Sequence, residues 1–241
     1  MKAIILAAGY ATRLYPLTQN TPKALLTIKG ITILDYILEK VETIKEVNEI
    51  IIISNQKFYK NFIEWSKTYK GKLPINIIND KTTSNETRLG AIGDINLAIK
   101  EKNIKEDIIV LASDNYFSFN LNNIYNYYKS INSDLIIGSL ADTELLNERK
   151  YAIATIDNKN KVLHLEEKPE NPRTNIIIHA IYIYKKDTLP LFSTYLEEGN
   201  NKDSPGNFPS WLYKKKPLYC YITNGTCYDI GTIDTYNELN K

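Results

Sequence analysis

Cysteine and histidine are scarce in this sequence, and their scarcity excludes several classes of protein. Among 241 residues, cysteine occurs only at Cys220 and Cys227 and histidine only at His164 and His179. Two cysteines are too few for a disulfide framework, and neither residue type has the spacing of a transition-metal site. Both histidines lie in strand-like runs, so we expect them to be packed or to lie at a sheet edge.

Long apolar runs and a strong net charge are also missing. The opening apolar run is too short for a signal peptide, and no later segment approaches the roughly 18 apolar residues of a membrane span. The 30 basic and 28 acidic residues leave a formal charge of +2. The short basic run at 214–216 is more typical of a solvated face than of a nucleic-acid site. We therefore expect a cytoplasmic protein without a nucleic-acid or membrane partner.

Hydrophobic periodicity alternates between strand and helix in the first half of the chain. Short runs rich in Ile and Val predict strands at residues 3–7, 49–54, 75–78 and 107–112. Helix-period segments separate them at residues 33–44, 58–69 and 89–100. This alternation is typical of βαβ units and a parallel sheet, which binds ligands at the carboxyl ends of its strands.

Beyond residue 121 the pattern contains more strand than helix. We expect strands at residues 135–140, 151–156, 162–165 and 176–184. A helix capped by Asp187 is expected at 187–197. Together the two halves predict an α/β fold, Rossmann-like and three-layered, with helices on both faces of a mixed, mostly parallel sheet. No linker or repeat divides the chain, so we expect a single domain over 1–241.

Asn224-Gly225 is a two-residue turn signal between two strand-like runs. It predicts a hairpin of residues 218–222 with residues 226–230. In that register, Cys220 would face Asp229 and Cys227 would face Ile222, so the two cysteines would be diagonal neighbours.

A loop with the parts of a polyphosphate site follows the first strand. It runs from Gly9 to Thr18 and includes Arg13, and Lys23 lies in the next polar stretch. Small residues let backbone N–H groups approach phosphate, a guanidinium forks onto oxygens, and an ammonium adds a point charge. The loop is neither a Walker A loop nor a G-x-G-x-x-G fingerprint, and local chemistry alone explains it equally well as an ordinary surface loop.

Two aspartates at distant points of the chain are candidate metal ligands. Asp114 follows the strand predicted at 107–112, and Asp229 follows the predicted hairpin. Mg²⁺ is commonly held by one or two carboxylates, with phosphates and water completing its shell. Each aspartate also has a structural interpretation, Asp114 as a turn or helix-cap residue and Asp229 as a turn residue before Gly231.

Residues 6–26 match a spaced signature, L-A-A-G-x-x-T-R-L-x-P-L-T followed by P-K-A-L-L. This signature resembles that of the sugar-1-phosphate nucleotidylyltransferases, which include glucose-1-phosphate thymidylyltransferases and mannose-1-phosphate guanylyltransferases. The resemblance implies a nucleotide-diphospho-sugar transferase fold, an NTP and a sugar 1-phosphate as substrates, and Mg²⁺ as cofactor. It would make 1–120 the nucleotide-binding half and 121–241 the sugar-phosphate-binding half.

The resemblance also implies roles for residues at matching positions. Arg13 and Lys23 would contact phosphates, Asp114 and Asp229 would bind the metal, and Lys168 would bind the sugar phosphate. These five residues form the implied catalytic set. The residues implied to surround the nucleotide are Leu6, Ala7, Ala8, Gly9, Ala11, Thr12, Arg13, Asn85 and Gly90.

The acceptor side lies after the strand predicted at 162–165. On chemistry alone, Glu166-Glu167-Lys168 is an ordinary solvated turn. The resemblance implies that Glu167 hydrogen-bonds sugar hydroxyls and that two further segments line the sugar pocket. The residues implied to bind the acceptor are Tyr151, Ala152, Glu167, Lys168 and Ala180.

Several positions depart from the family pattern. Asn85 stands where the family has a base-contacting Gln, and because Asn is one methylene shorter, the identity of the base does not carry over. Asn85 could equally be a helix N-cap. Ala11, Ala152 and Ala180 stand where the family usually has Gly. Alanine tolerates positive φ poorly and adds a methyl group where backbone meets ligand, which favours an unusual sugar or a displaced pocket.

These parts predict an in-line displacement, in which a sugar-phosphate oxygen attacks the α-phosphorus of the NTP and pyrophosphate leaves. The attacking group is already an anion, so no general base is required. A cytidylyltransferase for phosphocholine or a related phosphorylated small alcohol is one alternative, because it shares the opening loop. A catalytically silent regulatory protein that binds sugar nucleotide is another, which the alanines favour. The sequence is compatible with a homo-oligomer.

Overall fold

Strands and helices of the computed structural model, which describes residues 1–241, follow one another in the order that the hydrophobic pattern predicts for the first half. The strands are β1 (Lys2–Leu6), β2 (Thr27–Ile28), β3 (Ile31–Thr32), β4 (Glu49–Ser54), β5 (Ile75–Asn79), β6 (Ile108–Ala112), β7 (Asn115–Phe117), β8 (Asp134–Leu140), β9 (Ala152–Ile156), β10 (Val162–Glu167), β11 (Ile176–Tyr184), β12 (Leu218–Ile222) and β13 (Cys227–Asp229). The helices are α1 (Ile33–Val41), α2 (Tyr59–Ser66), α3 (Ala91–Glu101), α4 (Leu121–Ile131), α5 (Thr143–Asn147), α6 (Pro190–Glu197), α7 (Asn207–Leu212) and α8 (Ile233–Asn240).

A nine-stranded mixed sheet forms the centre of the molecule. Strands β5, β4, β1 and β6 are parallel neighbours, as the βαβ pattern predicts. Strand β11 then runs antiparallel to β6 and pairs with β9 through its first residues and with β8 along its other edge. Because β11 contacts all three, it joins the strands of the second half to the parallel strands of the first.

Helices cover both faces of this sheet because successive residues of a buried strand point to opposite sides. Ala3 and Ile5 of β1 pack in a cluster with α1, α2 and α4. Ile4, between them, packs in a second cluster with α3, α6 and α7. The three-layer arrangement predicted from the sequence is thereby confirmed.

The predicted hairpin around Asn224-Gly225 is wrong. Strand β12 lies parallel to β8 in the main sheet, with Cys220 beside Ile136. Strand β13 instead pairs antiparallel with β7 in a separate two-stranded sheet, with Asp229 beside Asn115. Buried residues of β12 complete the core next to β8, so non-local packing outweighs the local turn signal and sends the two strands to different sheets.

The helix predicted at 187–197 also begins later than expected. It starts at Pro190, which is favoured at the first position of a helix because it has no N–H to satisfy. Asp187 does not cap the helix; it pairs with Lys216, whose Nζ lies 3.0 Å from its Oδ2. Asn120, in contrast, does cap the helix that follows it, α4, by accepting from Asn122 N and Asn123 N.

The helices of this structure are too short or too polar to cross a lipid bilayer.

Candidate active site

Parallel pairing of β1 with β6 brings the loop of residues 9–18, called the phosphate loop after its predicted role, next to Asp114. Leu6 and Ala112, the last residues of these strands, are register partners. Ser113 N continues the ladder by donating to Leu6 O at 3.1 Å. The loop after β1 and the Ser113-Asp114 segment therefore leave the same edge of the sheet side by side, as expected for a parallel α/β sheet.

Asp229 reaches the same edge through the small sheet of β7 and β13. Asn115 and Asp229 are register partners in that sheet. Just beyond them, Ile230 N donates to Asp114 O at 3.0 Å. The two aspartates, far apart in sequence, are thus fixed next to each other by backbone hydrogen bonds.

The place where the segments of Asp114 and Asp229 meet is called the junction below. Lys23 hydrogen-bonds to both of these segments. Its Nζ donates to Asp114 Oδ2 at 2.6 Å and to Ile230 O at 3.0 Å. Arg13 lies close as well, because a Cβ built on Gly231 would be 3.6 Å from both Arg13 Nη2 and Asp229 Oδ2. Four of the five residues of the predicted catalytic set therefore converge on one small region.

Within the aspartate pair, Asp229 is the residue whose carboxyl group lacks partners. Asp229 Oδ1 is buried and has no hydrogen-bond partner. Burial raises the pKa of Asp229, the neighbouring charge of Asp114 raises it further, and Lys23 and Arg13 act in the opposite direction. A buried carboxyl oxygen without a hydrogen-bond partner, next to a second carboxylate, is suited to contact a divalent cation. The protein offers two carboxylates here and no cluster of three acidic, His or Cys groups, so other ligands would have to come from substrate and water.

A cavity of about 530 Å³ opens from this junction along the phosphate loop. The structure brings together in its wall all of the residues predicted to surround the nucleotide, namely Leu6, Ala7, Ala8, Gly9, Ala11, Thr12, Arg13, Asn85 and Gly90. Tyr10, Arg88, Asp94 and Asp203 also line it, and the sequence reasoning did not identify them. We refer to it as the nucleotide cavity.

Ala11 adopts the backbone conformation that makes glycine common in such loops. Its φ is 49° and its ψ is 40°, in the left-handed region, and it caps the short 3₁₀ turn at Thr12–Leu14. Thr18 Oγ1 donates to Ala11 O at 2.7 Å and holds the loop in this shape. The alanine therefore does not change the path of the loop, although the left-handed conformation costs roughly 1–2 kcal/mol for a residue with a Cβ.

Asn85 and Gly90 lie on one wall of the nucleotide cavity. Gly90 is the N-cap of α3, so the alternative interpretation of Asn85 as the cap is wrong. Gly90 has φ 79°, and a Cβ there would lie 2.5 Å from Lys202 O. Ala91 N and Ile92 N donate to the backbone oxygens of Asp203 and Lys202, which ties the start of α3 to the 199–206 loop.

A second cavity, of about 220 Å³, lies on the other side of the aspartates. All of the residues predicted to bind the acceptor line it, namely Tyr151, Ala152, Glu167, Lys168 and Ala180. We refer to it as the acceptor cavity. Asp114, Ala112 and Pro205 line both cavities, so the two cavities meet at Asp114.

Glu167 and Lys168 are oriented by the 199–206 loop. Lys168 Nζ lies 3.4 Å from Ser204 Oγ and 3.7 Å from Glu167 Oε1. A Cβ built on Gly206 would lie 2.0 Å from Glu167 Oε2 and 3.4 Å from the Cβ of Ala152. The absence of a side chain at Gly206 therefore makes room for Glu167 and for the methyl group of Ala152. Burial raises the pKa of Glu167, and Lys168 opposes that shift.

His179 lines the acceptor cavity and was interpreted from the sequence only as a packed or edge histidine. It is indeed packed, at 3% exposure, and burial lowers its pKa to about 4. Its Nε2 is 2.9 Å from Ser139 Oγ. The pairing of β11 with β8 shifts register between His179 and Tyr182, within the stretch of strand that lines the cavity. Strand periodicity alone contains no signal for that irregularity.

Comparison with known proteins places these features in a family. A model of the nucleotidyl transferase family matches residues 2–241. A presumed mannose-1-phosphate guanyltransferase from Sulfolobus acidocaldarius is 30% identical over 100% of this chain and 62% of its own length. A bifunctional GlmU protein from Methanococcus aeolicus is 29% identical over 96% of this chain and 51% of its own length. The chain thus spans about half to three-fifths of these relatives.

Solved structures show the same fold. A UDP-glucose pyrophosphorylase complexed with UDP-glucose superposes with a TM-score of 0.81 at 19% identity, covering 99% of this chain and 96% of that one. At this level of identity the likeness concerns the fold, and it confirms the predicted mixed sheet with flanking helices. Functional roles for individual residues depend on the geometry described above.

Proposed function

We propose that this chain, which belongs to the nucleotidyl transferase family, transfers a nucleoside monophosphate from an NTP to a sugar 1-phosphate. The products are an NDP-sugar and pyrophosphate. The observation that carries the proposal is the junction at Asp114, where a cavity lined by the phosphate loop meets a cavity lined by Glu167 and Lys168. Two phosphorylated substrates bound on either side would meet beside Lys23 and the two aspartates.

The NTP is proposed to occupy the nucleotide cavity. The phosphate loop offers backbone N–H groups next to small side chains, and Arg13 reaches the same region as Asp229. Lys23, now bonded to Asp114, would share its charge with the phosphates. The base would lie against Asn85 and Gly90, where the wall of the cavity is formed by the start of α3.

Asp114 and Asp229 are the residues that would hold Mg²⁺. The fit rests on the buried, unpartnered Oδ1 of Asp229 and on the oxygen-only donor set. When bound, the ion would supply positive charge to the phosphate oxygens around the reacting phosphorus. Its presence would favour the ionised form of Asp229, because it would offset the burial and the repulsion by Asp114 that raise the pKa of Asp229.

The acceptor is proposed to lie in the second cavity with its phosphate toward Asp114. Lys168 would bind that phosphate. Glu167, for whose side chain Gly206 leaves room, would accept hydrogen bonds from hydroxyl groups. The attacking oxygen is an anion at neutral pH, so the residues need only bring two polyanions together and neutralise their charge. A side chain that removes a proton is not needed.

A matrix of NTPs against phosphorylated acceptors tests this proposal. Pyrophosphate release would be measured with Mg²⁺ for five NTPs (ATP, GTP, CTP, UTP and dTTP) against hexose 1-phosphates and phosphocholine. We expect release with at least one sugar 1-phosphate and none with phosphocholine. Release with phosphocholine alone would favour the cytidylyltransferase alternative. Tight binding of sugar nucleotide without release would favour a silent regulatory protein.

A further inference from the structure

Asp94 is a buried carboxyl group that the proposed reaction does not use. It lies in the first turn of α3, where its backbone N–H donates to Gly90 O at 2.9 Å. The residue is only 5% exposed, and its Oδ1 is buried with no hydrogen-bond partner. Asp94 nevertheless lines the nucleotide cavity.

Two other buried acids outside the aspartate pair, Asp80 and Asp134, are well partnered. Asp134, at 0% exposure, accepts from Lys185 N and Thr188 Oγ1 and pairs with Lys216. Asp80 accepts from Thr82 N and Thr82 Oγ1. A buried carboxyl without such partners costs folding free energy. The contrast indicates that Asp94 is retained for a partner that is not part of the chain.

The charges around Asp94 do not provide that partner. Burial raises its pKa to about 8, the nearby charge of Asp80 raises it further, and Lys202 opposes the shift without forming an ion pair. An acidic residue near a helix N-terminus stabilises the helix dipole, but an exposed residue does this without the cost of burial. A helix-stabilising role therefore does not account for the burial of Asp94.

We propose that Asp94 is a specificity-determining residue for the nucleobase and that it selects bases with an exocyclic amino group. It lies one helical turn after Gly90, on the wall of the cavity that includes Asn85. This inference rests on the proposed function, because it assumes that the cavity binds an NTP. It adds a base preference that neither Asn85 nor the phosphate loop provides.

The preference follows from the donors and acceptors of the base edges. Guanine, cytosine and adenine each carry an amino group that can donate to a carboxyl oxygen whether the carboxyl is protonated or ionised. Uracil and thymine present one ring N–H between two carbonyl oxygens. An ionised carboxylate repels those carbonyls, and only the protonated acid can donate to one of them. The ionised carboxylate therefore favours amino-bearing bases, and a bound amino group that donates to it favours that ionised form in turn.

Direct binding of nucleotides tests the inference without need of an acceptor. Dissociation constants of the same five NTPs would be measured by calorimetry with Mg²⁺ for the wild-type chain, Asp94→Ala and Asp94→Asn. Asp134→Asn serves as the matched control, because it makes the same substitution at a partnered buried acid that does not line the cavity. Thermal unfolding would be recorded for every variant.

We expect the wild type to bind at least one of GTP, CTP and ATP about tenfold or more tightly than UTP and dTTP. In Asp94→Ala that ratio should approach one, and in Asp94→Asn it should fall because an amide can donate to a uracil carbonyl. Asp94→Asn should also raise the melting temperature, whereas Asp134→Asn should lower it and leave the ratio unchanged.

A wild-type preference for UTP or dTTP would overturn the inference, as would an unchanged ratio in both Asp94 variants. These results would leave the proposed transfer reaction standing. Binding of none of the five NTPs would instead contradict the proposed function together with the inference.

Discussion

The nucleotide cavity and the acceptor cavity meet at Asp114, but different kinds of groups line them. The nucleotide cavity is lined largely by the loop that follows β1, in which small residues expose the backbone. The acceptor cavity is lined by side chains of the antiparallel strands β9, β10 and β11, including Glu167 and His179, and by Tyr151 just before β9. A backbone-lined site suits a ligand part that every NTP shares, whereas a side-chain-lined site suits discrimination between acceptors.

The difference also appears in how each cavity accommodates its alanines. At Ala11 the backbone keeps the left-handed conformation in spite of the Cβ. At Ala152 the added methyl group faces Gly206, where the opposing residue has no side chain. In the nucleotide cavity, the backbone of Ala11 itself is strained. In the acceptor cavity, Gly206, distant in sequence, leaves room for the methyl group of Ala152.

The largest expected effect lies at the junction, where both cavities depend on the same carboxylates. Asp114→Asn and Asp229→Asn should each lower kcat about a hundredfold or more, because charge stabilisation of the phosphoryl group is the main catalytic contribution. Pyrophosphate release measures the rate, and circular dichroism checks the fold. Near-wild-type turnover in both variants would contradict the proposed magnesium site.

Lys168→Ala should weaken binding in the acceptor cavity and leave binding in the nucleotide cavity nearly unchanged. Because Lys168 lines only the acceptor cavity, we expect the KM for the sugar 1-phosphate to rise about tenfold while the Kd for the NTP changes less than about twofold. Lys161→Ala, at an exposed lysine of the 157–161 turn, is the matched control. Equal losses for both substrates would show that Lys168 does not belong to one cavity alone.

Asp94, in the nucleotide cavity, should make the free energy of unfolding fall as the pH rises. Its pKa is raised from 3.8 to about 8 in the folded protein, so between these values the unfolded chain releases a proton that the folded chain keeps. This group's contribution to stability is therefore complete below pH 4 and is lost as the pH rises toward 8. Asp94→Asn should increase the free energy of unfolding by at least about 1 kcal/mol more at pH 8 than at pH 5.

Urea unfolding at a series of pH values measures this difference. His179 gives the opposite trend, because burial lowers its pKa from 6.5 to about 4 and its contribution is lost as the pH falls through that range. The comparison of Asp94→Asn with the wild type cancels the His179 contribution. A gain in stability that is the same at pH 5 and pH 8 would show that Asp94 is not buried in protonated form.

The smallest expected effect is at Ala11. Ala11→Gly should stabilise the fold by about 0.5–1 kcal/mol, because relief of the left-handed strain is partly offset by the greater freedom of glycine in the unfolded chain. Chemical denaturation measures it, and Ala24→Gly, at a buried alanine with ordinary conformation in the 3₁₀ turn Lys23–Leu25, is the control and should destabilise. A destabilised Ala11→Gly variant would contradict the strain argument.

The wall of the nucleotide cavity that follows β1 could be predicted from the sequence, because its residues are nearly consecutive in the chain. The strand before the loop, the small residues, Arg13 and Lys23 lie within a short stretch, and strand periodicity indicates where the loop begins. Asp114 was identifiable as a polar residue at the end of a strongly apolar strand, and its proposed role as a metal ligand came from the family resemblance. Parallel pairing then places these strand ends at one edge of the sheet.

Other parts of the site depended on contacts that sequence periodicity does not encode. Alternation identifies a strand but not its partner, so Asn224-Gly225 predicted a hairpin where β12 and β13 separate and only β13 reaches β7. That pairing sets Asp229 beside Asp114. The cavity positions of His179 and Asp94 likewise depend on a register shift in β11 and on the 199–206 loop that packs against α3.

The sequence by itself determined the α/β class, the alternation of strands and helices in the first half, and the position of the small-residue loop after β1. Each of these depends on residues close together in the chain. Tertiary structure alone decided which strands pair in the second half, that two distant aspartates share one site, and that a histidine and an unpartnered acid face the cavities. Burial of apolar surface is shared across the whole chain, so the choice among alternative pairings belongs to the complete core and not to any local segment.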